Sequence, residues 1–564
     1  MPAMAFDRER FVTASQWEPS PCRPRINVLV RKGAPDSGCE QLLSAIEASI
    51  PIRFVQESSS ALSDGRFSGV IDLLRLGETT PKPRTSEIAT LAAPAASTAP
   101  ASLRTERLEV RFANDSEVPF PFRGRAVTTA VSGGNCVLTL LPSERVLAAV
   151  PEGPIWAVST ERGSRHFRSA LPLQEVDENG SFADVFGGDR FIENLPLLHF
   201  LHVAAPQGRW APPPLRAAFM FDDPNLHWPS YGFIDFAETG RRAEREGYHV
   251  AFATIPLDAW FAHEPTTQVF HRYPALSLLV HGINHGKREL AVERDLRETA
   301  ALLTQAVRRI ELLERKTNLR VARVMVPPHG ACSEQTLRAL PACGFESACI
   351  SSGSLKAHNP GRAWTRALGF LPTEQVAGCQ VLPRWSLGGN IDNTMLVAAY
   401  LGRPMIFRGH HQDLKNGPEL LDVIAARVND LGRVRWAPLG ELSRMSYQSQ
   451  MVGDRCLVRS LSRHIRFAVP DSARELVVDD GGLASSEIQY EIVLNGKAFW
   501  HRAAEPLMLP EAGNRWVDIR LPALATASDA GARLPRTSAS VILRRLLTES
   551  RDRMQAAAYR RLPV

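Results

Sequence analysis

The chain has 564 residues, 44% of them hydrophobic, and a formal net charge of +6. That length exceeds one ordinary core and predicts three or four domains, which the strand–helix alternation along the chain makes an α/β multidomain protein. The net charge is small for the size and no block of Lys and Arg stands out, so no nucleic-acid partner is expected.

The first 25 residues lack the apolar stretch of a secretory leader, which makes a cytoplasmic location the expectation. An extracellular location would require a mis-assigned N-terminus. Residues 25–33 (RINVLVRKG) read as a buried strand, 39–50 as a helix, and 52–56 and 68–74 as short strands. Residues 1–78 are therefore expected to form an α/β unit. Residues 79–104, rich in Pro, Ala, Thr and Ser, read as a linker. Residues 105–208 read as a mixed β-rich domain with strands in LEVRF, AVTTAV, CVLTLL and GPIWAVST, then a helix over 191–201. Gly133-Gly134-Asn135-Cys136 lacks the Gly after Cys of a nucleophile elbow and reads as a hairpin turn.

The run RWAPPP from Arg209 marks a boundary, because Pro runs stop regular structure. Beyond it strands are expected at 216–222, 249–255, 276–281, 322–326, 347–351, 404–408 and 434–438. Helices are expected at 232–246, 289–317, 333–343 and 418–431. Such alternation predicts a parallel barrel over residues 209–445. Residues 454–524 read as a small β-sandwich with a hairpin at Asn495-Gly496. Residues 525–564 read as a loop followed by an Arg-rich helix over 541–561. That helix is expected to pack on the body, with peripheral membrane contact as the less favoured reading. No run of 18 apolar residues is present to span a membrane.

Two segments concentrate chemistry. In Phe219-Met220-Phe221-Asp222-Asp223-Pro224-Asn225 an apolar strand ends in adjacent carboxylates, at the end where parallel barrels place their sites. Neighbouring strand side chains point to opposite sides, so one Asp suits a metal and the other a proton. In Leu278-Leu279-Val280-His281-Gly282-Ile283-Asn284-His285 another apolar strand ends in two imidazoles four residues apart. One carboxylate and two imidazoles make a catalytic ligand set for one divalent cation, zinc first, with positions left for water. The eight cysteines offer no CxxC pair for a thiolate site.

The FDD and HGINH segments, in this order, resemble the first two motifs of the polysaccharide deacetylase (NodB-homology) superfamily. The resemblance covers residues 215–442 and implies a distorted (β/α)7 barrel that removes acetyl groups, N-acetyl before O-acetyl, from a sugar or glycan. It makes Asp222 the general base and Asp223, His281 and His285 the metal ligands. Gly282 stands where the family has Ser or Thr. Val326-Pro327-Pro328-His329-Gly330 is similar to the family's Arg-x-Pro-Tyr loop but has Val for Arg and His for Tyr. Arg384-Trp385 is the nearest match to a further motif. Ile406-Phe407-Arg408-Gly409-His410-His411 resembles the strand that carries the general acid, either His410 or His411, with His410 slightly favoured. Asn225, His227, Trp228, Pro328, His329 and Trp385 are candidate substrate contacts, with Tyr231 and Trp260 as further stacking candidates. The alternatives are a non-catalytic glycan-binding or scaffold member of the same fold and a two-carboxylate glycosidase. The flanking domains could also carry the main role, as binding modules for a polymer or partner.

Overall fold

A computed structural model describes residues 26–32, 39–56, 67–74, 88–94, 105–132, 137–206, 210–388, 391–479, 489–503, 505–510, 515–521 and 537–559. The turn expected at Gly133–Cys136, most of the expected linker and the loop over 525–536 lie outside these residues.

The two N-terminal regions expected to be separate share one sheet of nine strands. The reason is a strand inside the expected linker. Ala89–Pro94 pairs in parallel with Gly69–Leu74 on one side and with Ser164–Ser169 on the other. Its buried Leu91, Ala92 and Ala93 are small enough to sit under the helix Leu195–Ala204. The CVLTLL segment, where a strand was expected, forms no strand over its described residues 137–141, although Leu138 N–H donates to the Pro154 carbonyl oxygen at 2.7 Å. The next strand is Arg145–Val150 instead.

The central sheet contains the strands expected from residue 216 onward. Arg216–Asp222 and Leu276–His281 match the expected ranges. The hydrogen-bonded path also includes Cys379–Leu382 and Trp385–Ser386, with Glu374–Val376 antiparallel at one end, none of which was expected. Its two ends are not joined by any ladder among the described residues, so the sheet is a curled, open one and not a closed barrel. The long helix begins at Leu296, not at residue 289, because Asp295 caps it by accepting from the Glu298 N–H.

All seven residues of Arg216–Asp222 are buried. A strand covered on both faces reads as a continuous apolar run instead of an alternating one. Alternation still sorts its side chains. Ala218 and Met220 join Ala251, Ala253, Leu279, Val324, Cys349, Leu382 and Ile406 in a compact inner cluster. Ala217, Phe219 and Phe221 belong to the large outer core, with Val250 and Phe252.

Toward the C-terminus, two four-stranded sheets share one apolar core that includes Val458, Ile465, Val478, Ile492 and Ile519. The turn at Asn495 and Gly496 takes φ of 53° and 77°, as a tight two-residue hairpin requires. Strand pairing starts at Tyr447, ahead of the expected boundary at residue 454. The last helix is Ala539–Tyr559.

Candidate active site

The inner column of the central sheet turns polar one step beyond its apolar cluster. Two residues after Met220, Leu279, Cys349, Leu382 and Ile406 come Asp222, His281, Ser351, Arg384 and Arg408. All five line one cavity of about 350 Å³ at the C-terminal ends of the parallel strands, with Asp223, His285, His329, Trp385 and His410. The parity that fills the inner core therefore also aims the chemistry.

Asp222 and Asp223 face the same cavity, contrary to the expectation that neighbours on a strand diverge. Asp223 leaves the strand with φ of 84°, and this left-handed step turns its carboxylate back. His285 (φ 57°) and His329 (φ 57°) hold the same uncommon conformation. Three non-glycine residues so placed in one cavity mark a site whose surroundings over-determine its backbone.

Asp223 Oδ1 lies 2.9 Å from His285 Nε2 and 3.3 Å from His281 Nε2. Ligand atoms of these three residues all lie within 4.8 Å of one another. Burial works against the charged form of Asp223, but hydrogen bonds from both imidazoles hold its carboxyl well below the usual range. Burial likewise opposes the His281 imidazolium, yet the neighbouring Asp223 and Asp222 raise its pKa overall.

The His285 loop is held from behind. The Glu289 carboxylate accepts from the backbone N–H groups of Ile283 (2.7 Å), Asn284 (3.0 Å) and His285 (3.0 Å). This explains Gly282. A Cβ there would meet the Glu289 carboxylate and come within 2.6 Å of Pro328 Cγ, at a φ of 61° that disfavours any side chain.

Asp222 is buried beside two guanidinium groups, Arg384 Nη1 at 3.3 Å and Arg408 Nη1 at 3.7 Å. Arg384 carried only a weak motif match in the sequence, and Arg408 was not among the expected site residues. Their strand parity with Leu382 and Ile406 was the available clue. Arginine thus stands beside Asp222 even though Val326 occupies the family's arginine position.

His410 and His411 part company. His410 lines the cavity, and burial lowers its pKa against the opposing pull of Asp222 and Asp223. His411 is buried elsewhere, stacked on Phe233 and 3.7 Å from Asp552 of the C-terminal helix. His411 is therefore not among the residues around the cavity; it opens the short helical turn His411–Leu414 that carries the chain away from the strand end.

Of the candidate substrate contacts, His329 and Trp385 line the cavity, whereas Pro328 packs beneath it against Gly282. Asn225, His227 and Trp228 do not line it. Asn225 is turned to Asp258 (3.4 Å), His227 to Glu549 (3.4 Å), and Trp228 lies under Arg553 (4.8 Å). Tyr231 is buried against Asp552, and Trp260 lines a second cavity. The C-terminal helix has claimed this side of the loop, and nothing local in the sequence announces so distant a partner.

No protein-family model matches the chain, and no curated protein matches it. Among solved structures it is similar to Agd3, a novel carbohydrate deacetylase, at 11% identity and a TM-score of 0.46, over 88% of this chain and 98% of that one. It is also similar to a family 4 carbohydrate esterase from Streptomyces lividans in complex with acetate (10% identity, TM-score 0.24, 39% and 88% covered). A third is the polysaccharide deacetylase Bc1974 from Bacillus cereus (12% identity, TM-score 0.22, 40% and 91% covered). None of these reaches a TM-score of 0.5, so a functional reading has to stand on the geometry of the chain itself.

Proposed function

We propose that the chain is a metal-dependent deacetylase acting on an acetylated carbohydrate. One observation carries the reading. His281 Nδ1 lies 2.9 Å from the Val326 carbonyl oxygen, which fixes its proton there in the neutral imidazole. Nε2 then presents a lone pair to Asp223 Oδ1, itself an acceptor, at 3.3 Å. A proton or a metal ion between these two atoms relieves that opposition, and a backbone carbonyl behind a metal-bound imidazole is the usual arrangement at a metal site. The donor set of two imidazoles and a carboxylate suits zinc first among divalent ions.

Asp223, His281 and His285 would hold a divalent cation, which would supply Lewis acidity toward a water molecule and an acyl carbonyl. Asp222 takes the proton of the attacking water at a carboxylate that Arg384 and Arg408 orient. His410 gives a proton to the departing nitrogen or oxygen. An amine leaves only when protonated, so a histidine in this place favours N-acetyl over O-acetyl substrates. Trp385 offers a flat face to a sugar ring, and Ser351 and Ser354 offer hydroxyls to its oxygens.

Metal analysis of the purified protein, with acetate release from N- and O-acetylated oligosaccharides, tests the proposal. His281→Ala is expected to lose the metal. Asp222→Asn is expected to keep the metal and lose activity by about 10²–10⁴-fold. Retention of metal by His281→Ala would refute the ligand set. A wild type that holds metal but releases no acetate from any substrate would favour the non-catalytic glycan-binding reading.

A further inference from the structure

The C-terminal helix Ala539–Tyr559 is built inside out. Its buried side chains are Arg545, Glu549, Asp552 and Ala556. Arg545 bonds the Asp258 carboxylate at 2.7 Å and the Asp223 carbonyl oxygen at 3.2 Å. Glu549 faces His227, and Asp552 accepts from the Tyr231 hydroxyl at 3.2 Å. Outward it presents Ile542, Leu543, Leu546, Leu547 and Met554, with Leu543 and Leu547 59% and 62% exposed. A helix lying on a globular body ordinarily does the reverse, burying its apolar stripe and wetting its charges. A contiguous apolar face left outside marks a contact surface.

The apolar face continues onto neighbouring elements. Ile542 and Leu546 border a cavity of about 420 Å³ whose far side is Trp260 and Leu312. Trp260 is 62% exposed. The residues three and four positions from Leu312 on its helix are Arg308, Arg309, Arg315 and Lys316, a wholly basic surround. Arg544 is exposed on the C-terminal helix, whereas that helix's two acids, Glu549 and Asp552, are both buried in ion pairs. Exposed cations thus lie on both helices that carry this face, with no exposed acid on the C-terminal helix itself.

We propose that this face docks on an anionic lipid surface. The helix lies in the headgroup plane, with Leu543, Leu547 and Trp260 at the acyl boundary and Arg308, Arg315, Lys316 and Arg544 against lipid phosphates. No helix of the described residues is long and apolar enough to cross a membrane, which fits contact from one side. A second copy is the poorer occupant, because a two-fold contact would set these cations against their own counterparts.

The test uses the full-length protein and sedimentation with lipid vesicles, a readout independent of the metal cluster and of acetate release. Binding is expected to vesicles containing about a quarter phosphatidylglycerol, at least ~10-fold above that to pure phosphatidylcholine, and to weaken in roughly 0.5 M salt. The double variant Leu543→Glu/Leu547→Glu, altered only at exposed positions, should lose that binding at unchanged Tm. Trp260→Ser, on a different element, should weaken it. Absence of binding, equal binding to both vesicles, or a double variant that binds as wild type would overturn the proposal. A concentration-dependent dimer that the double variant dissolves would overturn it in favour of a second copy.

Discussion

Two cavities flank the segment from Asp223 to Trp228, and they are built by opposite means. The polar one sits on strand ends, where Asp222, His281, Ser351, Arg384 and Arg408 are aimed by an inner core that extends directly beneath them. The apolar one is roofed by a helix from the far end of the chain, held down by buried ion pairs. The first is rigid because its groups continue a packed lattice. The second depends on a few charges that stay satisfied only while the helix is docked. Chemistry and docking thus have separate supports, joined where Arg545 reaches the Asp223 carbonyl oxygen.

Four measurements would break or sharpen that contrast. His410→Ala, on the polar side, is expected to lower kcat by about 10²–10⁴-fold, while His411→Ala should leave the chemical step near wild type. Steady-state kinetics on the two variants decides it, and equal losses would erase the distinction between the cavities. Arg545→Met leaves Asp258 buried without its partner, which should cost about 3–5 kcal/mol in denaturant unfolding. Pairing it with Asp258→Leu should recover much of that loss.

A pH effect should arise away from both cavities. His249 is buried beside Ser277, and burial lowers its pKa from the ordinary 6.5 to about 4. Between those values the unfolded chain takes up a proton that the folded chain refuses. Stability should therefore fall as pH drops from 6.5 to 4, by an amount on the order of 3 kcal/mol. His249→Gln should flatten the stability profile over that window relative to wild type, and parallel profiles would reject the assignment. The smallest effect is expected of Glu289→Gln, which weakens the carboxylate that holds the His285 loop. Metal affinity should fall by about 10–100-fold, measured by competition with a chelator, with the unfolding transition little changed.

Much of the polar cavity was legible before folding was known. Asp222, Asp223, His281 and His285 end apolar runs, and a strand end is a local property that hydrophobic patterning displays. His410 was legible as one of two adjacent histidines, and only the path of the chain past Gly409 separated it from His411. Arg408 went unread, and Arg384 was read only as half of a motif match and not as a partner of Asp222, because an arginine near a strand end has no local mark of its partner. The Ala89–Pro94 strand was hidden inside a composition that looks like a linker, since alanine and proline reveal a strand only through the neighbours that bury them.

The sequence by itself determined the parallel strand ends, the carboxylates and imidazoles they carry and the helix of Arg and Leu at the C-terminus. These follow from side-chain chemistry and from periods of two and 3.6 residues. Tertiary structure alone decided that Asp223 turns back beside Asp222, that His411 leaves the cavity and that the helix docks by its charges. Each of those outcomes depends on groups hundreds of residues apart, or on a single backbone angle that only the packed surroundings select.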